Sequence, residues 1–112
     1  MPKYMTRMCY SSGSWARMVK SPGDRSTAIG HVMKSLGGSL ECLYWEVGTE
    51  DAVAIGDLPD SVSAVALNEA LSTTGAFKSV ETRELLTQEQ LIDTLVLAGD
   101  AAVGFEVPGQ PD

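Results

Sequence analysis

The sequence predicts an α+β fold, a four-stranded antiparallel sheet with helices packed on one face. Three observations point to it. Apolar spacing switches along the chain between a period of two, at residues 3–10, 39–47, 51–58 and 76–85, and a helical period between them. The second and third strand-like runs are separated only by "GTE", which leaves room for nothing but an antiparallel hairpin. Residues that start and stop helices stand at the remaining boundaries.

In "KYMTRMCY", residues 3–10, Tyr4, Thr6, Met8 and Tyr10 share one parity. Ser12 is the expected N-cap of a short helix, "GSWARMVK", which Pro22 ends. In "SPGD", Ser21 reads as a second N-cap, Pro22 as the first helical residue and Asp24 as the acid of a capping box. The helix that follows carries Ile29, Val32, Met33 and Leu36 on one stripe and stops at Gly37 and Gly38. "SLECLYWEV" and "DAVAIGDL" are the hairpin strands, and Pro59 closes the second. Asp60 or Ser61 caps a helix over "VSAVALNEALS", which ends near Gly75. "AFKSVETREL" is the fourth strand. Thr87 and Gln90 form a capping box for a last helix, which carries Leu91, Ile92, Leu95 and Val96 and stops at Gly99. The order β-α-β-β-α-β, with an extra short helix after the first strand and a helix at the C-terminal end, is the ferredoxin-like plan. Residues 1–99 make the domain, and 100–112 read as an acidic, partly flexible tail.

Composition narrows the partners. The chain has 112 residues and a formal net charge of −7, which argues against nucleic acid and against an anionic membrane surface. Lys3 and Arg7 interrupt the first apolar run, so it is not read as a signal peptide, and no apolar run approaches the ~18 residues that would span a bilayer. Cys9 and Cys42 lack metal-ligand or C-x-x-C spacing. The ferredoxin-like strand order sets them two strands apart, about 10 Å, beyond the roughly 7 Å that a disulfide spans. Two reduced, buried thiols and a cytoplasmic setting are expected.

The hairpin strands are apolar on both faces. Leu40, Cys42 and Tyr44 point one way and Leu43, Trp45 and Val47 the other, and Val53 and Ile55 oppose Ala52, Ala54 and Leu58. An antiparallel sheet with one wet face alternates apolar with polar. The second face is therefore expected to be covered by another copy of the same sheet, in a homodimer or higher homo-oligomer.

The N-terminal "MPKY", the segments "SLGG" and "GTED…DLPD", and "TG…LLT" together resemble the GYD-domain family over about residues 1–98. The resemblance implies a small bacterial protein of the dimeric α+β-barrel type, named for a Gly-x-Tyr-Asp-like turn in the hairpin. Gly48 and Asp51 match that turn, and Glu50 stands where the family has Tyr. The resemblance carries fold and assembly, and no agreed activity comes with it.

Candidate site residues divide into two groups. In the turn, Gly48 suits a positive φ and Asp51 is expected to accept backbone N–H bonds. A cation site built from Glu46, Glu50, Asp51 and Asp57 is disfavoured, because Asp57 lies some 20 Å along the strand from Asp51. His31, the only histidine, falls opposite the apolar stripe of its helix, with no partner for nucleophilic chemistry. A pocket between sheet and helices, lined by Met8, Tyr10, Trp15, Met33 and Trp45 with Arg25 or Arg83 at its mouth, would suit a planar or apolar ligand, with "SSGSW" as its mobile lid. The plainer reading, which is preferred on the residues alone, makes the same aromatics core and interface residues.

Three functions follow from these residues. The leading one is a non-catalytic homo-oligomer that binds a small organic molecule or a protein partner. The alternative is a cofactor-independent monooxygenase- or isomerase-like enzyme using Tyr10, Trp15 and Trp45. The third is an assembly role for the C-terminal helix or tail. No cofactor or metal is called for.

Overall fold

The computed structural model describes residues 1–109. The elements follow as β1 (Lys3–Tyr10), α1 (Ser12–Lys20), α2 (Arg25–Ser35), β2 (Ser39–Trp45), β3 (Ala52–Asp57), α3 (Ser61–Ser72), β4 (Phe77–Leu85) and α4 (Gln88–Ala102). The strands form one sheet in the order β2-β3-β1-β4, antiparallel throughout. Among the described residues no helix is long and apolar enough to cross a membrane.

One face of the sheet carries the core. Tyr4, Thr6, Met8 and Tyr10 of β1 are all buried, as their shared parity requires, and Ala52 and Ala54 of β3 join them. Leu58 just after β3, Ile29 and Met33 of α2, and Ala64, Leu67 and Leu71 of α3 complete the cluster. Fully burying side chains of this size contributes roughly 1.5–3 kcal/mol each. The Thr6 hydroxyl of β1 is satisfied in the core: it lies 3.0 Å from that of Thr82, which donates at 3.2 Å to the Asn68 side-chain oxygen. At Gly56 a Cβ would collide with the Ser39 carbonyl and the Met33 methyl, so only glycine lets α2 and β2 approach β3 this closely.

Four local expectations are revised. Ser11, not Ser12, caps α1, its hydroxyl accepting from the Ser14 N–H. Asp24 is itself the N-cap of α2, accepting from the Ser26 N–H and hydroxyl, so Ser21, Pro22 and Gly23 form a linker instead of a first turn. A short Asp side chain reaches its own N2 amide and makes the longer box unnecessary. In β2 the ladder slips between Leu40 and Cys42. That extra residue places Leu40 opposite Gly56, on the side of Leu43 and Trp45 and away from Cys42 and Tyr44. Finally, α4 runs through Gly99 to Ala102, because a glycine inside a helix weakens it without ending it. The expectation of a flexible tail falls partly on residues 110–112, outside the described residues.

The capping box of α4 is present in both directions, Thr87 Oγ1 accepting from the Gln90 N–H and Gln90 Oε1 from the Thr87 N–H. Asp60 caps α3 by accepting from the Ser63 N–H at 2.9 Å.

The opposite face of the sheet is mixed. Met5, Cys9, Val53, Ile55 and Cys42 are half-buried there and Tyr44 is exposed. Charged residues interleave with them: Lys3 pairs with Glu41 and Asp57, and Arg7 Nε meets Glu46 at 2.8 Å. Glu41 beside it, seconded by Asp57, holds the Lys3 ammonium above its ordinary pKa.

Candidate functional site

At the end of the sheet where β1 and β2 meet the α1–α2 linker, four aromatic rings gather. Tyr10 stacks on Trp45 at 5.6 Å between centroids and 23° between planes, meets Trp15 edge-on at 6.3 Å and packs on Phe77 at 4.4 Å. Trp15 and Trp45 touch edge to face at 5.6 Å. Alternation on β1 and β2 aims Tyr10 and Trp45 to the helix side, and α1 carries Trp15 over them. The Arg25 guanidinium, at the start of α2, lies over the Tyr10 ring at 5.9 Å, within cation–π range.

Two clefts flank this cluster. The larger, about 800 Å³, is lined by Trp15, Met18, Arg25, Leu40, Leu43 and Trp45 among others. The smaller, about 390 Å³, is lined by Tyr10, Ser14, Arg17 and Arg25 among others. Both include Gly23 and Asp24, so the exposed linker divides them. Tyr10 is 3% exposed. Its hydroxyl and the Arg25 Nε are buried and have no hydrogen-bond partner in the chain. Two buried donors without acceptors are costly unless something supplies an oxygen.

The carboxylates around the larger cleft are mostly engaged. Glu41 and Glu46 pair with Lys3 and Arg7. Asp24 is held below the ordinary carboxylate pKa by the Ser26 hydroxyl and then the Ser26 N–H. Glu50 is exposed on the rim.

Of the residues the sequence nominated, Trp15, Arg25 and Trp45 line the larger cleft, and Tyr10 joins Arg25 in the smaller. Met8 and Met33 lie in the filled core and line neither cleft. Arg83 stands on the far edge strand, in a separate groove of about 390 Å³ between α3 and β4. Sequence reasoning missed Met18, Leu40, Leu43 and Arg17. Met18 was legible as the i+3 neighbour of Trp15. Leu40 was not, because the slip in β2 turns it toward the cleft.

In the β2–β3 turn, Gly48 has a φ of 106° and Glu50 a φ of 55°, both in the left-handed region. The Glu46 N–H donates to the Asp51 carbonyl at 2.8 Å and the Glu50 N–H to the Glu46 carbonyl at 3.0 Å. Asp51 plays a different part from the one expected: its own N–H donates to the Thr49 hydroxyl, and its carboxylate faces the Cys9 thiol. Burial, and then Asp51, push the Cys9 thiol up from its ordinary pKa. Cys9 and Cys42 are free, on strands separated by β3, and half-buried rather than buried. His31 is exposed. Among the described residues no three His, Cys, Asp or Glu side chains gather as a metal would need.

Among curated proteins none matches this chain. A similar solved structure is the X-ray crystal structure of protein Atu4242 from Agrobacterium tumefaciens, 13% identical, with a TM-score of 0.47 and coverage of 77% of this chain and 92% of that one. The GYD domain family matches over residues 4–95, which takes in the sheet apart from Lys3, the three helices α1–α3 and the first half of α4. On that match, the chain belongs to the GYD domain family.

Proposed function

We propose that this protein is a homo-oligomer of the ferredoxin-like, dimeric α+β-barrel type that binds a small planar organic molecule bearing an acceptor oxygen. The observation that carries the ligand is the pair of buried, unpartnered donors, Arg25 Nε, whose residue borders both clefts, and Tyr10 Oη, whose residue borders the smaller, next to a larger cleft walled by two indoles. An aromatic body fits the indole wall, and a carboxylate or carbonyl oxygen answers the donors. The carboxylate is favoured over a cation because the acids lining the cleft, apart from Glu50 on its exposed rim, are already paired or capping, whereas the two donors are not. For the assembly, the support is the strand order β2-β3-β1-β4 and the half-buried apolar residues of the open sheet face.

Titration with 2-naphthoate, 2-naphthamide and 2-naphthylmethylammonium tests the ligand, read by tryptophan fluorescence and thermal shift. Naphthoate is expected to bind tightest, the ammonium weakest, and Arg25→Gln to weaken naphthoate about tenfold, the usual scale for a charge-assisted hydrogen bond. If none of the three binds at millimolar concentration, the ligand reading fails. Equal binding of all three would remove the role of the donors.

A further inference from the structure

Charge is divided unevenly between the two clefts. Four carboxylates border the larger, those of Asp24, Glu41, Glu46 and Glu50, against the single guanidinium of Arg25. The smaller is bordered by two guanidiniums, of Arg17 and Arg25, and by one carboxylate, that of Asp24. That carboxylate is committed to capping α2 through the Ser26 N–H and hydroxyl. In a chain of net charge −7, two arginines beside one committed acid reverse the sign locally.

Among the described residues neither arginine is in an ion pair. Arg17 Nη2 donates to the Ser14 hydroxyl at 3.2 Å, and that buried hydroxyl donates in turn to the Ala76 carbonyl at 2.8 Å. Ser14 and Ala76 both line the smaller cleft, so this chain of bonds ties the head of an otherwise exposed arginine to the cleft wall. An exposed guanidinium needs nothing more, because water serves it. The buried Arg25 Nε and the buried Tyr10 hydroxyl, both without a partner, do need an oxygen. Tyr10 is 3% exposed and lines this cleft and not the larger.

We propose that the smaller cleft binds a phosphate group, free or carried as a monoester, between the guanidiniums of Arg17 and Arg25. Such a group carries about 1.5–2 negative charges near neutral pH and at least three acceptor oxygens. Two guanidiniums match that charge, and each offers a planar fork of N–H donors to the oxygens. A carboxylate, with one charge and two oxygens, leaves one arginine unanswered. The four acids of the larger cleft direct the dianion to this side of the linker. The site shares Arg25 and Tyr10 with the ligand proposed above, adds Arg17 and needs neither indole.

The test is calorimetric titration of the full chain, in buffer above the second phosphate pKa near 6, with inorganic phosphate, 2-naphthyl phosphate and chloride at matched ionic strength. Phosphate is expected to bind at millimolar concentration or below, and chloride not to. Two variants each remove one positive charge from α1, and far-UV circular dichroism checks their folding. Arg17→Gln is expected to weaken phosphate about tenfold or more. Lys20→Gln, at an exposed position one turn on that borders neither cleft, is expected to bind phosphate like the parent chain. Tighter binding of 2-naphthyl phosphate than of phosphate supports the monoester as the source, and equal binding supports the free ion. Silence of both phosphates at millimolar concentration, an Arg17→Gln chain that binds like the parent, or equal losses in the two variants overturns the site. Naphthoate that binds where both phosphates are silent would sink this site and leave the ligand of the larger cleft standing. Phosphate that binds where no naphthyl compound does would do the reverse.

Discussion

Trp45 stacks on Tyr10 across an intervening strand. Trp45 sits on the edge strand β2 opposite Ala52 of β3, which in turn stands opposite Met8 of β1. Ala52 is wholly buried and offers only a methyl group. The indole therefore leans over it to reach the phenol ring.

Ala52→Leu should fill that gap and push the rings apart. Overpacking of a filled site costs about 1–3 kcal/mol. Urea unfolding is expected to show that loss, and Trp45 emission to shift toward that of a wetter indole. An unchanged emission spectrum would mean that the stacking does not depend on the small residue.

Glu50 holds a φ of 55° in the turn between β2 and β3. A non-glycine residue is strained there. Glu50→Gly should raise stability by up to about 1 kcal/mol, and Glu50→Val should lower it by at least as much. Identical midpoints for the three chains would show that the turn relaxes at no cost.

Asp60 is held below the ordinary carboxylate pKa by the Ser63 N–H, then by the Ser63 hydroxyl, with the Val62 N–H adding a little. Its capping contribution is therefore present above the unfolded value near 3.9 and disappears as pH falls through the lower folded value. Asp60→Ala should melt several degrees below the parent at neutral pH, with the gap closing in acid. Asp60→Asn caps without titrating and should flatten that dependence. A gap that persists at pH 2 would remove the carboxylate from the explanation.

The proposed sheet-face contact makes its own prediction. Tyr44, exposed beside half-buried Val53 and Ile55, would sit within it. Tyr44→Lys is expected to weaken self-association by about tenfold or more in light scattering, while the monomer stays folded. No change in mass would place the interface elsewhere.

The elements, their order, the buried parity of β1 and β3 and the capping box of α4 were all legible in the chain. Each of these depends on residues adjacent in the chain or spaced by a fixed period, so it is written locally. What depends on two elements meeting emerged only in the folded chain. The slip in β2 moved Leu40 to the cleft side, and the Asp24 cap freed the linker that splits the two clefts. Arg25 came to lie over Tyr10, whereas Arg83 went to the opposite edge. No periodicity encodes these, because a one-residue shift in register or a one-turn change in where a helix begins redirects every side chain that follows. The bareness of α4, every residue of which is exposed, belongs to the same class: its stripe was readable in the chain, but only the folded globule shows that nothing within one copy covers it.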